Sequence, residues 1–132
     1  VTAGSLAADR ATPAELRAVE AAHRQCRHGF AQRQVEPSAR GDDDFHTAVA
    51  VASHNAFLDS AVRGARRLQR RSSAIGIHDE FGEDAAAAIE EHEAIHRAVE
   101  QGRPDRAAEA TGTHLDRTLE TYRREIRRRL LG

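Results

Sequence analysis

Eight of the 132 residues are histidine, against one tyrosine and no tryptophan. Four positions stand out by type and spacing. Asp42 and His46 are four apart, so on a helix they project from one face, and that face or its flank also carries Phe45 and Val49. His92 lies among Ile89, Ile95 and Val99 at helical spacing. His114 lies one turn from Ala110 and Thr118, at the edge of an apolar stripe. One carboxylate and three imidazoles suit a borderline divalent ion, zinc or nickel first, with cobalt or iron behind them. They suit calcium or magnesium poorly, because those ions want oxygen. The same spacing also fits a plainer reading, in which the histidines are hydrogen-bonded core residues.

For these side chains to meet, three helices must converge, and six helical segments can be drawn. The first covers residues 1–10. Thr12 then caps a second, with Pro13 at its first position and Glu15 in its first turn. It runs to residue 34 with Leu16, Val19, His23, Cys26 and Phe30 on one face. Glu36-Pro37-Ser38 is expected to break it. A third helix, 40–53, has Asp42, Asp43 and Asp44 in its first turn, where the helix dipole favours acids. Asn55 caps a fourth, with Leu58, Ala61, Val62, Ala65 and Leu68 inward. Residues 75–81 read as a loop. The fifth helix, 83–101, ends at Gly102. Pro104 opens the sixth, with Ala108, Thr111, Leu115, Leu119, Tyr122 and Ile126 on one face. No strand alternation and no internal repeat are present. Short connections make neighbouring helices antiparallel, so the expected fold is all-α, an antiparallel bundle of about six helices forming one domain over residues 1–132.

Composition excludes several function classes. The net charge is -1, and all 20 basic residues are arginine, which reads as composition bias and not as a nucleic-acid surface. Arg123, Arg124, Arg127, Arg128 and Arg129 read as a solvated helix end. The single cysteine, Cys26, excludes an internal disulfide and fits a reducing cytoplasm, the expected location. No apolar run approaches the ~18 residues of a membrane span, and no signal-peptide pattern is present. The chain opens at Val1 with a helical pattern already under way, so an upstream part is expected.

Several motifs occur in order. Asp42-Asp43-Asp44-Phe45-His46 and Val51-Ala52-Ser53-His54-Asn55 resemble the "D-x-x-F-H … A-S-x-N" signature of the FCD domain. That domain is the C-terminal effector domain of one branch of GntR-type bacterial transcription regulators. Glu91-His92-Glu93-Ala94-Ile95, Ala98-Val99 and Gly102 to Ala108 resemble its "E-H-x-x-I-x-x-A-I … G-D-x-x-A-A" stretch, and His114 follows at a family-like distance. Leu6 to Thr12 resembles the end of its first helix. The resemblance implies six or seven helices and a buried divalent transition metal held by Asp42, His46, His92 and His114. It implies a sensor of a small carboxylate and no enzyme activity. DNA would be contacted only through a winged helix-turn-helix domain, absent from this chain, in a homodimeric regulator, with no membrane partner. Arg66, one turn from Val62, is the candidate second contact for the effector carboxylate. His54 and His96 depart from the family pattern and read as surface or core histidines.

Two enzyme readings compete. A di-iron carboxylate bundle would use Glu20–His23 and Glu93–His96, but needs two further inward glutamates. A metallo-hydrolase would need a general base beside the ion, and no residue is clearly placed for it.

Overall fold

The structure, a computed structural model, describes residues 1–74 and 81–132. Six helices run through the described residues: α1 (Thr2–Arg10), α2 (Pro13–Ala31), α3 (Val35–Ala52), α4 (Ala56–Ala74), α5 (Glu83–Glu100) and α6 (Pro104–Leu131). No strand occurs among them. The loop expected over 75–81 lies, as far as residue 80, outside the described residues.

Local chemistry explains the boundaries. Thr12 Oγ1 accepts from the Glu15 amide at 3.2 Å, and Glu15 Oε1 accepts from the Thr12 amide at 2.8 Å, a reciprocal capping box ahead of Pro13. Asn55 Oδ1 accepts from the amides of Phe57 and Leu58 at 3.0 and 3.1 Å. Gly102, with φ +64°, ends α5 as its position suggested. One boundary differs. The break between α2 and α3 falls at residues 32–34, where Arg33 has φ 52°, and not at Pro37. Pro37 occupies the first turn of α3, where a missing N–H costs nothing because no carbonyl waits for it. Asp42, Asp43 and Asp44 are therefore mid-helix, out of reach of the dipole. Arginines from α4 hold two of them instead, Arg66 on Asp42 and Asp43, and Arg70 on Asp43.

The tightest pairing is α2 against α3. A Cβ added at Gly41 would lie 2.3 Å from the Cys26 backbone nitrogen, and one at Gly29 would lie 2.5 Å from that of Ser38. The contact moves back three residues on one helix as it advances three on the other, so the pair is antiparallel. The pair α5 and α6 is antiparallel too, with His92 opposite His114 and Asp84 opposite Arg124. Helix α1 packs on α3, α5 and α6, α2 also touches α5, and α4 rests on α3. The core between them is built mostly of alanine and valine around Phe45, which is fully buried. The next largest fully buried side chain is a histidine, His92.

Two expected apolar faces are rotated. On α4, Leu58 and Val62 are half-buried and Arg66 is buried, whereas Ala61 and Ala65 are exposed and Leu68 is 65% exposed. On α6, Ala107 and His114 are buried while Leu115, Leu119 and Ile126 are each nearly half exposed. A shift of one residue turns a helix face by about 100°. The leucine line thus flanks the packed face, and a line of small and polar residues, Ala107, Thr111, His114 and Thr118, faces inward.

Candidate metal centre

Helix α3 supplies Asp42 and His46, α5 supplies His92, and α6 supplies His114. The helices bring the three histidines together, with Asp42 against His46 and His92. Ring nitrogens of the three histidines lie within 4.8 Å of one another. His92 Nε2 is 3.3 Å from His114 Nε2 and 3.4 Å from Asp42 Oδ1. His46 Nε2 is 3.5 Å from the same Asp42 oxygen. Donor atoms about 2.0–2.1 Å from a common ion lie roughly 3–3.4 Å apart. The spacings around His92 match that range.

Each donor is aimed by a neighbour. His114 Nδ1 donates to Glu91 Oε1 at 2.8 Å, so the lone pair of the neutral ring is on Nε2, facing the cluster. Glu91 is in turn held by Arg117, whose Nε reaches both carboxylate oxygens at 2.8 and 2.7 Å. Arg66 donates to Asp42 Oδ2, which leaves Oδ1 free to face the histidines. Phe45 stacks on the His92 ring with centroids 4.6 Å apart and closes one side.

Burial favours the neutral form of two of the rings. Burial lowers the His92 pKa well below its ordinary value, and the neighbouring His46 adds to the effect. His114 is lowered by burial first and by His46 next. For Asp42 burial pushes upward, but the His46 hydrogen bond and the Arg66 guanidinium hold the carboxyl well below its usual range. Neutral imidazoles beside an ionised carboxylate are the protonation states a divalent ion requires.

The donor set therefore fits a borderline divalent ion, at one cost. His92 Nδ1 is buried without a partner. Alone, the ring keeps its proton on Nε2, where His114 accepts it. With Nε2 used as a donor to a metal, an N–H stands unpaired at Nδ1, a cost of about 1–3 kcal/mol. Structural zinc sites in small peptides supply about 10–16 kcal/mol, so the cost is affordable there.

The other sequence candidates lie elsewhere. Arg66 is buried, with Nε on Asp43 at 3.0 Å and Nη1 on Gln69 at 2.5 Å in addition to its Asp42 contact. His54 is exposed and donates to Glu15 at 2.7 Å. His96 is buried against Glu100 at 3.1 Å. The four residues of the di-iron reading do not assemble: His23 meets Glu93 at 2.5 Å, but Glu20 points to Arg24 on the surface. Sequence reasoning missed the Glu91–Arg117 support, which joins α5 to α6, because their pairing depends on helix rotation. It also missed that Cys26 approaches Asp42 and His92.

No helix among the described residues is long and apolar enough to cross a membrane. No curated protein matches the chain. The model of the FCD domain family matches residues 1–117. With nearly the whole chain matched, and with a helical bundle as its fold, the protein belongs to the FCD domain family, the effector-binding regulatory domain of GntR-type regulators.

Proposed function

We propose that this domain is a metal-dependent sensor of a small carboxylate, and that it passes binding to an attached winged-helix DNA-binding domain in a homodimeric, cytoplasmic regulator. What supports the reading is that His46, His92 and His114, from three helices, face one another with Asp42 against two of them. These four residues would hold one divalent transition ion, zinc or nickel. When bound, it would supply positive charge and open coordination positions in a low-dielectric interior, where a carboxylate gains a strong contact.

The chain's own residues set the terms. Glu91 fixes the His114 tautomer, and Arg66 fixes the Asp42 rotamer. Arg66 could also meet the effector, but only by exchanging one of its aspartate partners for the ligand carboxylate. Transmission requires that the ligand favour one helix arrangement over another. Side chains of α3, α5 and α6 meet there, so a ligand would touch three elements at once.

Calorimetry with hydroxy, keto and sugar acids tests the reading. Binding is expected only to metal-loaded protein, and it should weaken in His46→Ala and His114→Ala. Binding that survives metal removal, or a panel in which an amine or apolar compound binds and no acid does, contradicts it. Turnover of an ester, amide or phosphate that is lost in His92→Ala would favour the metallo-hydrolase instead.

A further inference from the structure

We infer that the second half of α6 pairs with the same segment of a second copy of this chain, antiparallel, as a short two-stranded coiled coil. This rests on the homodimer of the reading above, not on its metal, and names the surface that forms it.

The pattern lies along α6. Leu115, Leu119, Tyr122 and Ile126 are spaced by four, three and four, the seam of a heptad repeat. Tyr122 is half-buried, and the other three are each nearly half exposed, because the line packed inward is Ala107, Thr111, His114 and Thr118. Apolar side chains scattered singly on a surface are ordinary, whereas four in one line mark a contact face. The helix also outruns its neighbour. Asp84, in the first turn of α5, meets Arg124 at 2.5 Å, so the end of α6 runs on past the start of α5. The family match stops at residue 117, so most of this line lies beyond the part shared with the family.

The line complements itself in one direction. A two-fold axis between Glu120 and Thr121 sets Leu115 against the partner's Ile126 and Leu119 against the partner's Tyr122. On the edge of the seam, the same register sets Asp116 beside the partner's Arg123, twice over. Arg124, Arg127 and Arg128 fall at heptad positions away from the seam, and the arginine-rich ends of the two copies lie at opposite ends of the pair. A parallel pair would bring those ends together, where like charges repel.

Sedimentation equilibrium on the purified chain, across a concentration series, reads the association. The unmodified chain should dimerise, and Leu119→Glu should leave it monomeric while circular dichroism shows the helices intact. Asp116→Arg and Arg123→Asp should each weaken the dimer several-fold, and the two combined should restore it, because the swapped pair again joins opposite charges. A monomer at every concentration overturns the inference and the homodimer of this domain. A dimer unchanged by Leu119→Glu overturns the inference and leaves the homodimer to another face. A dimer weakened by the single swaps that the combined swap does not restore overturns the antiparallel register. None of these outcomes depends on bound metal.

Discussion

His92 and His96 stand one turn apart on α5, and both are buried, at 1% and 8% exposure. Their surroundings differ in kind. Around His96, each imidazole has a carboxylate of its own: His96 Nε2 meets Glu100 at 3.1 Å, and the adjacent His23 donates to Glu93 at 2.5 Å. The two rings lie 5.9 Å apart by centroid. Around His92, the nitrogens face one another and one aspartate oxygen, at 3.3 to 3.5 Å. Opposite His96, α2 offers a single histidine. Opposite His92, α3 and α6 offer two more and an acid. Burial and histidine density are shared by both regions, so they do not make a site. What distinguishes the His92 side is that its ring nitrogens face one another and a shared carboxylate oxygen.

The largest contrast is expected from truncation. His92→Ala should abolish metal-dependent stabilisation, which for an ion at about 100 times its Kd amounts to ~2.7 kcal/mol. His96→Ala should preserve it. Melting temperatures with metal and with chelator check this, and equal losses in the two variants would erase the distinction between the regions.

A smaller contrast separates two glutamates on the same helix. Glu91→Gln removes the carboxylate that orients His114 and should weaken metal affinity about 10–100-fold. Glu93→Gln alters the contacts with His23, Arg97 and Arg27, none of them in the His92 cluster, and should leave affinity within error. Competition with a chelating dye measures both.

Packing gives the next effect. Gly41→Ala places a methyl 2.3 Å from the Cys26 backbone nitrogen, so the α2–α3 hairpin must open. A loss of about 1–3 kcal/mol is expected in denaturant titration. An unchanged midpoint would mean that the two helices are not locked at this crossing.

The mildest effect is that of pH on the metal-free chain. His23, His92 and His114 are all held below their ordinary value, with burial the leading cause in each. Unfolded, they titrate near ~6.5, so below that pH the unfolded chain binds more protons than the folded one. Their contribution is present above ~6.5 and is lost as pH falls toward the lowered folded values. The melting temperature of metal-free protein should therefore drop between pH 7.5 and pH 5.5. A rise on acidification would contradict the assigned burial of these rings.

Helix existence was legible because its signals are local. The Thr12 capping box, the Asn55 cap and the Gly102 terminus involve residues a few positions apart, and each acts where its spacing indicates. That His46, His92 and His114 face one another, with Asp42 against two of them, agrees with their placement on or beside apolar faces. Helix rotation was not legible. On α6 the leucines dominate the hydrophobic pattern, but the face against α5 is chosen by what fits there, and His114 with small residues fits where Leu115 and Leu119 do not. The same blindness hid Glu91–Arg117 and the approach of Cys26 to Asp42. Both depend on how two helices meet, and neither is encoded in the spacing of one.

The central claim, one ion at the His92 cluster, is tested most directly by metal stoichiometry. Chain stripped with chelator, reloaded with zinc or nickel at neutral pH and dialysed should retain about one ion per chain. His96→Ala should retain the same amount, and His92→Ala none. No retained ion in the unmodified chain, or equal retention in the two variants, would contradict the account.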